Sequence, residues 1–413
     1  MRLLLAIHNA YTDQTSGAAH SMRTIVEWLA QAGHECRVLA TARFDAAAPN
    51  LLAHLEEQGI APVKSPPAKA FLRSVRRAAN LGPGRPTFGF TLNDVPVTTL
   101  ATSARPQTPA ERFEAQQFMF LLDQQLEEFA PTHLLTYGGH PVVHESMRRA
   151  REREAITIFS LRNYGYEDRR HYQHADHVLT ASSYLTRYYR DRIGLRSVGI
   201  AAPIAWAAAE APEDLRRFVT FVNPTLPKGA MLFARLADML GSRRPDIPVL
   251  VVQSAQSAGQ LNAIPGLDFK KYPHIMAAPA TPRPADFFAL TRLLLVPSVF
   301  DEPFGRVAVE AMINGIPPIV SNRGALPETV GEAGIVLSLP ATLTPQSREL
   351  PSLAEVEPWF DAVCALWDDP ERYRGAAAKA RAFAEEHYSE ALMRKRYAEY
   401  FESLTPRSAL FDD

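Results

Sequence analysis

Short apolar runs alternate along the chain with longer stretches in which apolar residues recur at helical spacing, a pattern that predicts parallel βαβ units. RLLLAI (2–7), CRVLAT (36–41), HLLTY (133–137), ITIFSL (156–161) and HVLTA (177–181) read as strands of one sheet. Between the first two, Ala18 to Ala32 reads as a helix closed at Gly33, the residue type favoured just past a helix end. The pattern then restarts. RFVTFV (217–222), PVLVVQ (248–253), RLLLVP (292–297) and PPIVS (317–321) read as strands of a second parallel sheet with its own helices. The expected fold class is α/β, with two Rossmann-like domains. Their join is placed near 200–216, where APIAWAAAEAPED has Pro and Ala in place of periodicity. This gives an N-terminal domain over 1–205 and a C-terminal domain over 206–388. From about 355 onward the chain reads as helical, ending in SEALMRKRYAEYFESL behind an N-cap at Ser389. Residues 62–108 are rich in Pro and Gly, with one strand-like piece, TFGFTLN. They read as a variable insertion or mobile loop region on the first domain.

Composition narrows the function classes. At 413 residues the chain is too long for one typical core. It carries 44 Lys and Arg against 45 Asp and Glu, so no broad electrostatic attraction to nucleic acid or anionic lipid is expected, and any membrane contact would be local and peripheral. Two distant cysteines, Cys36 and Cys364, exclude a disulfide scaffold or zinc ribbon and suit a reducing cytoplasm. The apolar start MRLLLAIHNA reaches His8 and Asn9 too soon for a signal peptide or a membrane span, and reads as a buried first strand.

The densest chemistry lies in SVFDEPFGRVAVEAMINGIPPIVSNRGALPE (298–328). A strand ends at its start, residues 301–305 form the turn, and Arg306 to Asn314 the following helix, closed by Gly315. Glu302, Phe304 and Gly305 therefore sit where open α/β sheets bind ligands. The free N–H groups of that helix start suit a phosphate or sugar hydroxyls. Glu310, about a turn further on, suits a diol such as ribose. Taken alone, Arg306 and Glu310 read equally well as an i,i+4 surface pair.

EPFGRVAVEAMINGIPPIVSNRGALPETVGEAGIVL resembles the C-terminal signature of the retaining GT-B glycosyltransferases of the family 4 type (glycosyl transferases group 1). In these a Glu-x7-Glu element is followed by a Gly-Gly-x-Pro-Glu loop. The resemblance implies two Rossmann-like domains facing across a cleft, with the segment 389–413 packing back on the first. It also implies transfer of a sugar from a nucleotide diphosphate donor, UDP- or another NDP-sugar, to an acceptor hydroxyl. By this resemblance Glu302 contacts the donor sugar, the amides of Phe304, Gly305 and Arg306 meet the sugar and diphosphate, and Glu310 holds the ribose. Asn322 in the following loop joins the donor-binding set.

In FVNPTLPKGAMLF (221–233), Lys228 and Gly229 match the family's diphosphate-gripping Lys-Gly. Asn223, however, stands where an Arg is usual, and Arg306, Arg323 or Arg283 are candidates to replace that charge. In the first domain the family's small-residue loop corresponds to Ser16-Gly17-Ala18, with one glycine instead of two. The missing Gly-x-Gly-x-x-Gly argues against a nicotinamide-type site. His140, after Gly138-Gly139, resembles the family's cleft histidine and is preferred to His144. Arg162, Asn163 and Tyr164 at a strand end are acceptor-side candidates, whereas Asp176 and Ser182 or Ser183 are expected to be structural. Lys228, the helix-start amides and Glu302 would stabilise the departing diphosphate and an oxocarbenium-like sugar. No cofactor or metal is expected, and the acceptor is a small molecule, a glycan or a lipid-linked compound. The rival readings are a catalytically silent nucleotide- or glycan-binding module, and a sugar-nucleotide epimerase or hydrolase.

Overall fold

The computed structural model describes residues 1–13, 16–45, 50–76, 84–102, 112–253, 272–281, 283–406 and 409–411. The chain divides into two compact units, Met1–Pro203 with Met393–Asp413, and Ile204–Leu392.

Strands buried on both faces read as unbroken apolar runs, and the first unit is built on them. Its strands are β1 (Arg2–Ala6), β2 (Glu35–Thr41), β3 (Val63–Ser65), β4 (Thr87–Leu92), β5 (Val95–Leu100), β6 (His133–Thr136), β7 (Ile156–Leu161), β8 (His177–Thr180) and β9 (Val198–Gly199). They form one sheet in the order β3-β4-β5-β2-β1-β6-β7-β8-β9. Only the β3/β4 and β4/β5 pairings are antiparallel. Side chains alternate between the faces. Leu3, Leu5 and Val38 pack with Met22, Ile25 and Trp28 of the helix Gly17–Gln31, and with Met393, Tyr397 and Phe401 of the helix Glu390–Glu402. Leu4, Leu39 and Leu134 face Phe118 and Leu122 of Arg112–Glu128, and Val143 and Met147 of Pro141–Arg151.

The segment 62–108 corrects the sequence reading in part. Where described, it supplies three strands that extend the sheet beyond β2 instead of looping off it. The hairpin joining β4 to β5 turns at Asn93 and Asp94, both left-handed (φ 47° and 65°), the conformation such a two-residue turn demands and one that Asn and Asp tolerate. Residues 77–83 and 103–108 of the segment lie outside the described residues.

The second unit holds β10 (Phe218–Val222), β11 (Val249–Val252), β12 (Ile275–Ala278), β13 (Thr291–Val296), β14 (Pro318–Ser321) and β15 (Ile335–Leu337). They form an all-parallel sheet in the order β12-β11-β10-β13-β14-β15. Phe233 and Leu236 of the helix Ala230–Arg243, with Val356, Trp359 and Val363 of Leu353–Asp368, cover one face. The helix Arg306–Ile313 packs on Pro370–Tyr388.

Both units share one topological feature. The chain leaves the first strand of each sheet in one direction and later returns to that strand's other side, so strand order reverses between β1 and β6, and between β10 and β13. Loops diverge at such a reversal, leaving a crevice outside the carboxyl ends of the two strands.

Candidate functional site

In the second unit the reversal point collects the predicted residues. Beyond β10, the turn ends in Lys228 and Gly229 and opens the helix Ala230–Arg243. Its Pro227 carbonyl accepts hydrogen bonds from the amides of Val299 (2.8 Å) and Phe300 (3.2 Å), which ties it to the loop beyond β13. Lys228 Nζ donates to Glu302 Oε1 at 2.7 Å and lies 4.8 Å from the Phe300 ring centre. Ser298 Oγ donates to the same carboxylate oxygen at 2.6 Å. Glu302 is only 6% exposed, so its charge is held by one ammonium and one hydroxyl in a setting with little water.

The loop after β14 backs this arrangement. Ala325 N donates to Glu302 O at 2.8 Å, and Thr329 Oγ1 donates to Phe304 O. Gly324 (φ 58°) lies so close that a Cβ would stand 2.3 Å from Glu302 N and 2.4 Å from Glu302 O. Only glycine fits there. The next position tolerates Ala325, because it is right-handed (φ −79°) and fully buried. That accounts for Gly-Ala where two glycines are usual.

Gly305 takes φ 97° and leads into the helix Arg306–Ile313, whose start has no side-chain cap. The loop claims the carbonyls of Glu302 and Phe304, while the turn's amides stand at an uncapped, electropositive helix start. The Phe304 ring is buried, edge-on to Tyr388 at 5.8 Å, so what this residue offers a ligand is backbone. Arg306 Nη2 lies 3.3 Å from Glu310 Oε1. Burial drives the Glu310 carboxyl above its usual range, and Arg306 offsets this only in part.

Asn223 is left-handed (φ 59°), a conformation Asn adopts more readily than most residues, and its backbone N–H donates to Val252 O at 2.8 Å. Asn322 is exposed, with its backbone N–H donating to Leu337 O at 3.0 Å. Of the candidate replacement cations, Arg306 is on Glu310 and Arg283 is exposed and paired with Asp286 at 3.2 Å. Arg323 has a buried Nε without a hydrogen-bond partner.

Ser16, Gly17 and His140 belong to the first unit. Ser16 Oγ caps the helix Gly17–Gln31 by accepting from Ala19 N at 3.3 Å. His140 caps Pro141–Arg151, its Nδ1 accepting from Val142 N at 3.2 Å. Its ring stacks on His8, with centroids 4.0 Å apart and planes 2° from parallel. His8, Arg43 and Ser298 were missed by sequence reasoning. The only signal was His8's place directly beyond the first strand. Burial, then His140 and Arg43, lower the His8 pKa to about 3, and burial with Arg43 and His144 lowers that of His140. The His8 ring is therefore neutral at pH 7, and that of His140 is biased toward its neutral form.

Arg162 folds back along β7 onto Ser160 Oγ (2.7 Å) and is 9% exposed, while Asn163 is exposed and its carbonyl accepts from Tyr189. Tyr164 packs edge-on to Tyr188 at 4.7 Å. Asp176 Oδ2 accepts from Thr157 N and Oγ1, both at 2.9 Å, and Ser182 caps Ser183–Ile193; these roles are structural. Among the described residues no cluster of His, Cys, Asp or Glu has metal-binding geometry. Among the same described residues no helix is long and apolar enough to cross a membrane.

Residues 271–343, which span the Glu302 to Glu310 element and its backing loop, match the family model Glycosyl transferases group 1. The structure superposes on HepE of Anabaena in complex with UDP and glucose with a TM-score of 0.65, at 15% identity, covering 97% of this chain and 100% of that one. The sucrose-phosphate synthase of Thermosynechococcus elongatus gives 0.66 at 16% identity, covering 97% and 98%. The fold is thus that of the GT-B glycosyltransferases, and residues 271–343 carry the resemblance to group 1. The chain is 28% identical over 270 residues to the D-inositol 3-phosphate glycosyltransferases of Rhodococcus opacus and Rhodococcus jostii, over 62% of its own length. The chain spans about half the length of these curated relatives (54% and 53%). Against the group 1 pattern the departures are local: Asn223 and the single glycine of each small-residue loop.

Proposed function

We propose that the chain transfers a sugar from a nucleoside diphosphate donor to an acceptor hydroxyl, with retention of anomeric configuration and without a metal. The observation that carries this reading is the Lys228–Glu302 pair, set at the reversal point of the second sheet beside an uncapped helix start. In this reading Lys228 leaves Glu302 to neutralise the diphosphate as the glycosidic bond breaks, with the amides of Phe304, Gly305 and Arg306 sharing that charge. Glu302, released, accepts hydrogen bonds from the sugar hydroxyls, and Glu310 from the ribose diol. Asn223 and Asn322 offer neutral hydrogen bonds to the donor. Of the first unit, Ser16 and Gly17 serve the donor phosphates and the acceptor, and His140 the donor sugar. Water exclusion matters because hydrolysis competes with transfer. A uridine nucleotide is the first donor to try, since HepE was solved with UDP and glucose. The unpaired cysteines suit a cytoplasmic setting.

A second reading, a nucleotide-binding module without turnover, is favoured by Asn223 alone, because it removes one of the two cations expected around the diphosphate. The test is incubation of the full chain with UDP-, ADP- and GDP-sugars and an acceptor panel, with products followed by NMR. A product of unchanged anomeric configuration is expected. Inversion refutes the retaining mechanism, release of free sugar in place of transfer favours a hydrolase, and binding without turnover favours the silent module.

A further inference from the structure

The crevice of the first unit, outside β1 and β6, holds a cation that the described chain leaves uncompensated. His8 follows β1, His140 follows β6, and their rings stack across the reversal point at 4.0 Å. Arg43 follows β2 and is fixed beside them by two backbone bonds between the loops, Ala10 N to Arg43 O (2.6 Å) and Thr41 N to Asn9 O (3.3 Å). Its Nη1 is buried with no hydrogen-bond partner, and among the described residues no carboxylate pairs with it. The two nearby loop acids have other partners: Asp45 Oδ1 accepts from Asn9 Nδ2 at 3.1 Å, and Asp13 Oδ2 accepts from Asp45 N at 2.7 Å. The residues of these loops outside the described set, Gln14, Thr15 and 46–49, contain no acid.

An arginine cannot shed its proton to escape burial, so a guanidinium in this position calls for an anion from outside the chain. Arg162 is also unpaired at its terminal nitrogens, but it is turned down its strand and 9% exposed, whereas Arg43 is only part-buried. The neighbouring imidazoles fit the same ligand. Because His140 Nδ1 accepts from a backbone amide, the proton of its neutral ring sits on Nε2, which makes that nitrogen a donor.

We propose that this crevice is an anion-receiving subsite, and that the acceptor handled by the first unit carries a phosphate or carboxylate held by Arg43 beside His8 and His140. The proposal rests on the reading of the first unit as the acceptor side.

The test is a titration of the full, 15N-histidine-labelled chain with inorganic phosphate and, separately, acetate, followed at the ring nitrogens of His8 and His140. Saturable shifts at both rings are expected. Affinity should be about tenfold or more weaker in Arg43→Gln, as loss of a charge-assisted contact requires, and largely kept in Arg43→Lys. Silence at both rings, or equal affinity in wild type and Arg43→Gln, overturns the subsite. UDP titrated into the same samples separates the two readings, because UDP binding with phosphate silence overturns the subsite and leaves the donor site standing. Phosphatidylglycerol vesicles distinguish the sources of the anion. Sedimentation that depends on Arg43 assigns it to a lipid, whereas phosphate shifts without sedimentation assign it to a soluble acceptor.

Discussion

Removing Lys228 should destabilise the second unit more than removing the charge of its partner. Glu302 and Lys228 are 2.7 Å apart, but their side chains are 7% and 32% exposed. In Lys228→Met the nearly buried carboxylate keeps only Ser298 Oγ, whereas in Glu302→Gln the ammonium can turn to water. A hydrogen bond to a buried charge is worth about 1.5 to 3 kcal/mol, and an exposed pair about 1 kcal/mol or less. The part-exposure of Lys228 places Lys228→Met near 2 kcal/mol and Glu302→Gln below about 1 kcal/mol. The double variant should cost less than the sum of the two by about 1 kcal/mol, because the orphaned charge is gone. Urea unfolding followed by tryptophan fluorescence suits the question, since Trp206, Trp359 and Trp367 lie in the second unit and only Trp28 in the first. Additive single effects, or a larger cost for Glu302→Gln, would refute the claim that the ammonium compensates a buried charge.

Gly324→Ala forces a methyl into the Glu302 backbone at a left-handed position, and should lower the unfolding free energy of the second unit by about 2 kcal/mol or more and abolish transfer; a variant with wild-type stability and activity would show the contact to be slack. Glu310 has a folded-state pKa above its unfolded value, so its neutral form favours folding below about pH 4.5, and that contribution is lost as pH rises through the folded value. Glu310→Gln should therefore stabilise the second unit at pH 8, by less at pH 4, while weakening nucleotide binding; a uniform effect across this range in denaturant titrations would contradict it. His8 has the opposite linkage, with a folded pKa near 3 against an ordinary 6.5, so stability present above pH 6.5 is lost as pH falls toward 3. Replacing the ring in His8→Phe should flatten the pH dependence of Tm in that window relative to wild type, and an unchanged slope would refute the burial argument.

The central strands were legible because they are buried on both faces. ITIFSL has all six residues buried and its bounds are those of β7. The edges were not. β3, β12 and β15 are short with exposed positions, β5 carries Pro96, and the hairpin turn uses Asn-Asp without glycine. The residues around Glu302 could be read because they fall within one strand, turn and helix. His8 and Arg43 could not be placed with His140, because strand order alone brings β1, β2 and β6 side by side across more than a hundred residues. The reason for Gly324 likewise lies in its approach to Glu302 and not in its own neighbours along the chain.

Isothermal titration of UDP and the other nucleoside diphosphates into wild type and Lys228→Met tests the central claim most directly. The account predicts saturable binding of at least one nucleotide at the crevice between β10 and β13, weakened about tenfold or more by Lys228→Met. Absence of binding by any nucleotide, or equal affinity in the two proteins, would contradict it.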